Sequence, residues 1–427
     1  MKITSSDFEI QREPFARPFG FKGAAFHEKW NCVVRIQSQD GESVGIGGLA
    51  VLWSDPDVFT AHTEVGGNLL QSAILEHALQ HVTGREYPDP PSMLGDVLPS
   101  AYEYGRRITG RDGLRLTFVL IALVALDNAA WLLYAKEQGI TSFDDLIPEW
   151  AAPYLSYRLD HVANVPAIGY TLPMDELATL IDAGAYILKI KIGHPGDEQE
   201  MLEKDKAWLS QIHELAHDRS RDRTESGHVL YYLDANGRYG EKASMASLLD
   251  HADRIDALDR IVLIEEPFVE TIDLHVDDLP ARCAADESVH TVDDVLRRAE
   301  QGYGAIAIKP AGKTMSLAFE MVRAASEAGL ECFVADNACV PTLVEWNKNI
   351  AARLPHFPGL YGGLMESNGP ENYGASSWDR LVSDYPASDG KWLRPNDGAF
   401  ELDGSYYARS GGIFETPETY AGLFRST

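Results

Sequence analysis

From about residue 160 to about residue 370, short apolar runs alternate with helical patterns, and eight such runs predict an α/β chain folded as a (β/α)8 barrel. Two further observations complete the expected architecture. Residues 1–135 read as strands, a tight turn and helices, an α+β capping unit set before the barrel. Beyond about 375 the periodicity lapses into Trp, Tyr, Gly and Asp, so 376–427 is expected to pack back on the cap and 136–375 to form the barrel. An open doubly wound sheet is the competing layout for the same alternation.

In the cap, Cys32 to Gln37 alternates loosely, Gln39-Asp40-Gly41-Glu42 is a hairpin-type turn, and Gly45 to Ala50 is the return strand. Helical patterns follow at 69–81 and 91–107, and an apolar one ends near Gly139. Leu116 to Leu126 is nearly all apolar, but Asp127 and Asn128 interrupt it; a buried core helix is expected rather than a membrane span. The barrel strands are expected at 165–170, 185–192, 229–233, 261–264, 282–285, 305–308, 331–335 and 359–364. Thr291 caps one intervening helix with Asp294 three residues on, and Gly329 ends another.

Composition narrows the function. A formal charge of −28 argues against nucleic acid or an anionic membrane as partner. The four cysteines are widely spread and show no CxxC spacing, so a cytoplasmic, reducing setting without a zinc or disulfide framework is expected. Met1 to Asp7 has no apolar run, so no secretory leader is expected.

The chemistry is concentrated at strand ends, where the active site of a (β/α)8 barrel lies. Lys189 and Lys191 share one face of the second strand. Two ammonium groups side by side on an apolar strand repel and lose hydration, so something nearby must need them. The third strand ends in Asp234, the fourth in Glu265, the fifth in Asp286, the sixth in Lys309; the seventh leads to Asp336 and the eighth to Glu366. Three carboxylates from consecutive strands resist shared ionisation without a cation, and hard oxygen ligands in that number suit Mg²⁺. A lysine beside another cation loses some proton affinity and becomes a better base, and Lys189 is placed to do this to Lys191. Singly, each position has a structural reading: a strand-end carboxylate caps the next helix, a strand lysine is solvated, and Glu266 and Glu287 are paired behind the ligands. The case rests on their co-occurrence.

The segments Lys189-Ile190-Lys191, Asp234-Ala235-Asn236, Glu265-Glu266-Pro267, Asp286-Glu287-Ser288 and Lys309-Pro310, in this order, resemble the enolase superfamily, and within it the muconate lactonizing enzyme subgroup of the mandelate racemase/muconate lactonizing enzyme family. Ala125 to Trp131 is similar to that family's helix linking cap and barrel. The resemblance implies Mg²⁺, with Mn²⁺ as a substitute, held by Asp234, Glu265 and Asp286. It implies abstraction of the proton α to a substrate carboxylate, through a metal-stabilised enolate, by Lys191 on one face and Lys309 on the other, assisted by Lys189. Glu366 and Asp336 would meet the substrate, and Asn236, Glu266 and Glu287 would support the ligands. The loop Pro18-Phe19-Gly20-Phe21-Lys22 would cover the site, with Phe19 and Phe21 facing an apolar part of the substrate.

The reaction implied is racemisation or epimerisation of a small carboxylate; cycloisomerisation or syn-elimination needs the same parts, and a non-catalytic barrel relative is the rival from another class. A homo-oligomer, dimer or octamer, is implied as well. The chain departs from the mandelate racemase pattern in offering Asp336-Asn337 and no histidine on the seventh strand. It departs from dipeptide epimerases in having Glu366-Ser367-Asn368 where they carry Asp-x-Asp.

Overall fold

The computed structural model describes residues 1–21 and 24–424, except the Phe21 side chain. The cap opens with an antiparallel sheet of β1 (Ser5–Phe21), β2 (Ala24–Gln37) and β3 (Glu42–Leu49), in that order. The expected turn at Gly41 joins β2 to β3, where Ser38 N donates to Gly41 O at 2.8 Å. Three long helices follow, Pro56–Val82, Pro90–Thr109 and Leu116–Gln138.

The last of these is apolar enough to cross a membrane but lies buried in the protein. Its two polar residues explain themselves. Asp127 accepts from the backbone of Met315 (2.9 Å) and Ser316 (3.0 Å), capping the barrel helix Met315–Glu327. Asn128 donates to Ile46 O on β3 at 2.9 Å. The helix therefore bolts the cap sheet to the barrel.

The second sheet is β4 (His161–Val165), β5 (Ala167–Ile168), β6 (Ile187–Lys191), β7 (Leu230–Asp234), β8 (Ile261–Glu265), β9 (Cys283–Ala285), β10 (Ala305–Ile308), β11 (Glu331–Val334), β12 (Gly363–Glu366) and β13 (Ala399–Glu401). The neighbours run β13-β4-β12-β11-β10-β9-β8-β7-β6-β5. Because β4 pairs with β12 and β5 with β6, and one residue separates β4 from β5, the sheet curls back on itself as a barrel. That residue is Pro166. Lacking an N–H, it cannot continue the ladder, so the first strand is split and begins earlier than the expected 165–170. The eighth strand starts at Gly363 rather than 359, since Gly359 sits in a turn with φ +91°. From the C-terminal tail, β13 pairs antiparallel with β4, while Arg380 reaches Glu13 on the cap at 2.7 Å and Arg35 stacks over Phe424.

Inside the barrel the side chains obey the two-residue period of strands. Ile187, Leu230, Tyr232, Leu263, Ala284, Ala305, Ala307, Phe333, Ala335 and Leu364 form one buried cluster. Continuing each strand in steps of two leads upward from this apolar plug to Lys189 and Lys191, Asp234, Glu265, Asp286, Lys309, Asn337 and Glu366. The barrel core and the charged mouth are two ends of one pattern.

Candidate active site

Register sets the charged groups on one rim. Lys191 pairs with Asp234, and Asp234 with Glu265, across parallel strands. Nine of the expected site residues line a single cavity of about 40 Å³: Phe19, Lys189, Lys191, Asp234, Asn236, Asp286, Lys309, Asp336 and Glu366. Glu265, Glu266 and Glu287 are buried and do not line it. The Phe21 side chain is outside the described residues. Strands β6 and β10 are four neighbours apart in either direction round the barrel, so Lys191 and Lys309 rise from opposite walls.

Lys189 is the hub. Its Nζ lies 2.6 Å from Glu265 Oε2, 2.8 Å from Glu366 Oε2 and 3.0 Å from Asp234 Oδ2, and 4.7 Å over the Tyr232 ring. Burial works to discharge it, but these three carboxylates outweigh burial and hold the ammonium well above its ordinary pKa. Lys191 Nζ contacts Asp234 Oδ2 at 2.5 Å and Asn236 Oδ1 at 3.0 Å. Lys309 Nζ contacts Asp286 Oδ2 at 2.5 Å. Burial would raise Asp234 and Asp286, yet the lysines beside them hold both carboxyls far below the usual range.

Glu265 goes the other way. Burial and the charges of Asp234 and Asp286 push its carboxyl well up, against the pull of Lys189. Its Oε1 is closed off from solvent and accepts no hydrogen bond. Glu265, Asp286 and Glu287 each offer an oxygen within 4.8 Å of the others, while Asp234 is tied to Glu265 through Lys189. Crowded hard oxygens, one of them unsatisfied and short of positive charge, fit a small divalent cation. Behind them Glu266 Oε2 accepts from Asp286 N (2.8 Å) and the Ser288 hydroxyl (3.0 Å). Asn236 bridges Lys191 to Glu287, donating to Glu287 Oε1 at 3.0 Å. Asp336 accepts from Cys339 N and shapes the seventh-strand turn.

No protein-family model matches this sequence, and neither does any curated protein. Solved structures do match the fold. A mandelate racemase/muconate lactonizing protein from Herpetosiphon aurantiacus aligns with a TM-score of 0.65 at 16% identity, over 94% of this chain and 96% of that one. The L-Ala-D/L-Glu epimerase from Bacillus subtilis, in a substrate-liganded complex, aligns at 0.64 and 18% identity, over 88% and 92%. A dipeptide epimerase from Enterococcus faecalis, complexed with Mg and L-Leu-L-Tyr, aligns at 0.60 and 18% identity, over 84% and 89%. This chain has their fold.

The cap lines the cavity at the barrel mouth through Phe19, Phe26, Ala50 and Trp53, and it contributes groups that strand-end reading misses. Trp53 lays its ring 4.2 Å from Lys309 Nζ and donates to Asp286 Oδ2 at 3.3 Å. Lys313, on the turn of helix after β10, adds a second ammonium 3.0 Å from Asp286 Oδ1. A Cβ on Gly312 would lie 2.8 Å from Lys309 Cδ and 3.2 Å from Trp53, so only glycine lets this lysine and indole pack. Lys29 on β2 is fully buried and donates to Asn337 O at 2.5 Å. Asn368 steadies Glu366, donating to Oε1 at 2.8 Å. Lys313 lies four residues after Lys309 and was within reach of sequence reasoning; for Trp53 and Lys29 no local signal exists.

Proposed function

We propose that this chain is a Mg²⁺-dependent racemase or epimerase of the mandelate racemase/muconate lactonizing enzyme family, moving the proton on the carbon α to a carboxylate. The observation that carries this reading is the pair of amines on opposite walls of one enclosed, carboxylate-lined cavity. Asp234, Glu265 and Asp286 would hold the ion, with Mn²⁺ as a substitute. When bound, the ion supplies positive charge against which a substrate carboxylate can take up electron density as the α C–H bond breaks.

The remaining work belongs to side chains. Lys191 Nζ takes the α-proton from one face, and Lys309 delivers a proton to the other, so the carbon inverts and no atom is gained or lost. In the reverse direction the roles exchange. Lys189, flanked by three carboxylates, stays charged and offers its proton as a hydrogen bond to the electron-rich oxygen. Phe19, Phe26 and Trp53 face the cavity from the cap and keep bulk water from the transferring proton. Glu366, held by Lys189 and Asn368, orients the substrate. The similarity to epimerases supports this choice among the reactions open to such a site.

The test is α-hydrogen exchange. Chiral carboxylic acids incubated with the protein and Mg²⁺ in D₂O should gain one α-deuterium and lose optical purity, read by mass spectrometry and chiral chromatography. A broad acid library showing neither, with Mg²⁺ bound, refutes the proposal. The same reading carries a homo-oligomer, dimer or octamer, measurable by light scattering, and a cytoplasmic setting, with which four buried free thiols agree.

A further inference from the structure

One polar group touching the carboxylate cluster has no part in the proton transfer. Tyr232 stands two residues before Asp234 on β7, so both side chains point into the barrel, and its ring belongs to the apolar plug. The ring is fully buried and meets Phe333 edge-on, with centroids 5.5 Å apart. Its face lies 4.7 Å from the Lys189 ammonium, and its hydroxyl donates to Glu265 Oε2.

The two oxygens of Glu265 are therefore unlike. Oε2 meets the Tyr232 hydroxyl and, at 2.6 Å, the Lys189 ammonium, while Oε1 accepts no hydrogen bond. The two contacts on Oε2 differ as well. A divalent ion arriving among the carboxylates repels an ammonium, and Lys189 has Asp234 and Glu366 to lean on instead. A phenol is neutral below about pH 10, and burial favours its neutral form, so the same ion does not drive Tyr232 away.

How many oxygens one carboxylate can give bears on which ion fits. Ca²⁺ gathers about six to eight oxygens and takes both from a single carboxylate, whereas the smaller Mg²⁺ demands a near-octahedral set. We propose that Tyr232 is a positioning residue: it pins Glu265 Oε2, leaves Oε1 alone for the ion, and so makes the site prefer Mg²⁺ to Ca²⁺. This rests on the proposed function, since it presumes that Glu265 is a ligand.

Calorimetry with Mg²⁺ or Ca²⁺ as the sole probe tests it, on the metal-free full chain and on Tyr232→Phe, which keeps the ring and removes only the hydroxyl. Heat that Glu265→Gln abolishes is counted as the site's. The wild type should bind Mg²⁺ about tenfold tighter than Ca²⁺, the scale of one hydrogen bond to a charged group. In Tyr232→Phe the carboxylate is free to turn and offer both oxygens, so the ratio should shift about tenfold toward Ca²⁺. A ratio that stays put, or loss of both ions, would mean that Tyr232 only packs the barrel interior, and overturns the inference. A wild type that binds Ca²⁺ as tightly as Mg²⁺ overturns it too, even if the variant fails to fold. Those results leave the proposed function standing, because the wild type still binds Mg²⁺; a wild type that binds neither ion at this site overturns both.

Discussion

The two lysine-bearing walls of the barrel mouth are built differently. On the β6–β7 wall, Lys189 and Lys191 meet Asp234, Asn236, Glu265 and Glu366 of the barrel. On the β10 wall, Lys309 is held from the barrel by Asp286 and from the cap by the Trp53 ring. In the proposed reaction the first wall supplies one proton-transfer face, and the other is complete only when the cap is seated, with Trp53 over the Lys309 amine. A bidirectional reaction needs both, which gives the cap a chemical role beyond shielding.

The sharpest way to break the comparison is to delete one amine at a time. Lys191→Met and Lys309→Met should each lower racemisation by about 10²–10⁴-fold, the range for loss of a positioned acid or base. Each should still exchange the α-proton of one enantiomer, and not the same one. Incubating the separated enantiomers in D₂O checks this; identical losses for both enantiomers in both variants would defeat the two-wall arrangement. Next in size is the metal. Wild-type protein should gain about 2.7 kcal/mol when Mg²⁺ is raised to a hundred times its dissociation constant. Glu265→Gln should lose that gain while making the metal-free protein more stable at neutral pH. Its buried carboxylate is raised by burial and by Asp234 and Asp286, so ionised Glu265 costs stability that the amide does not. Denaturant titrations with and without Mg²⁺ measure both signs.

A smaller effect isolates the cap. Trp53→Leu removes a cation–π contact worth about 1–2 kcal/mol where water is excluded, about tenfold in rate. The loss should fall on exchange at the Lys309 face and spare the Lys191 face. Equal loss on both would mean that Trp53 only packs the cap.

The unequal walls also explain what could be read in the sequence. The β6–β9 rim was legible because one rule, alternation along a strand, runs from the apolar plug through Ile187 to Lys189 and Lys191, and from Leu230 through Tyr232 to Asp234. Strand order then follows chain order, so neighbours in sequence become neighbours in space. The split of the first strand was not legible as a position, although Pro166 marks it, because a proline can end a strand or sit at its edge. Trp53 and Lys29 obey no such rule. They reach the site through docking of one domain on another, and the residues they meet, Asp286 and Asn337, lie 233 and 308 positions away. Glu287 was expected behind the ligands, yet its carboxylate offers an oxygen within 4.8 Å of those of Glu265 and Asp286; that depends on a loop's path after β9, which local pattern does not encode.

Lys29 offers the finest test of how the cap is seated. Its stem passes beside Gly48 on β3, where any Cβ would collide with Lys29 Cε, and its ammonium ends on Asn337 in the seventh-strand turn. That turn is strained at Ala338, with φ +60°, and lines the cavity, so the cap's lysine pins a wall of the site. Burial lowers the Lys29 pKa from 10.5 to about 8, against the pull of Cys339 and Asp336. The unfolded chain therefore keeps this proton to higher pH than the folded one. Between about pH 8 and the unfolded value the unfolded state binds more protons, so the Lys29 contribution to stability rises with pH; below pH 8 the buried charge is a net cost. Compared with Lys29→Met, the wild type should gain on the order of 1 kcal/mol from about pH 8 to about pH 9, read as the difference in urea midpoints at each pH. Other titrating groups cancel in that difference. A flat difference would show that the folded protein lets Lys29 keep its proton throughout, and that the seventh-strand turn is held by a permanent charge rather than by a lysine near its titration point.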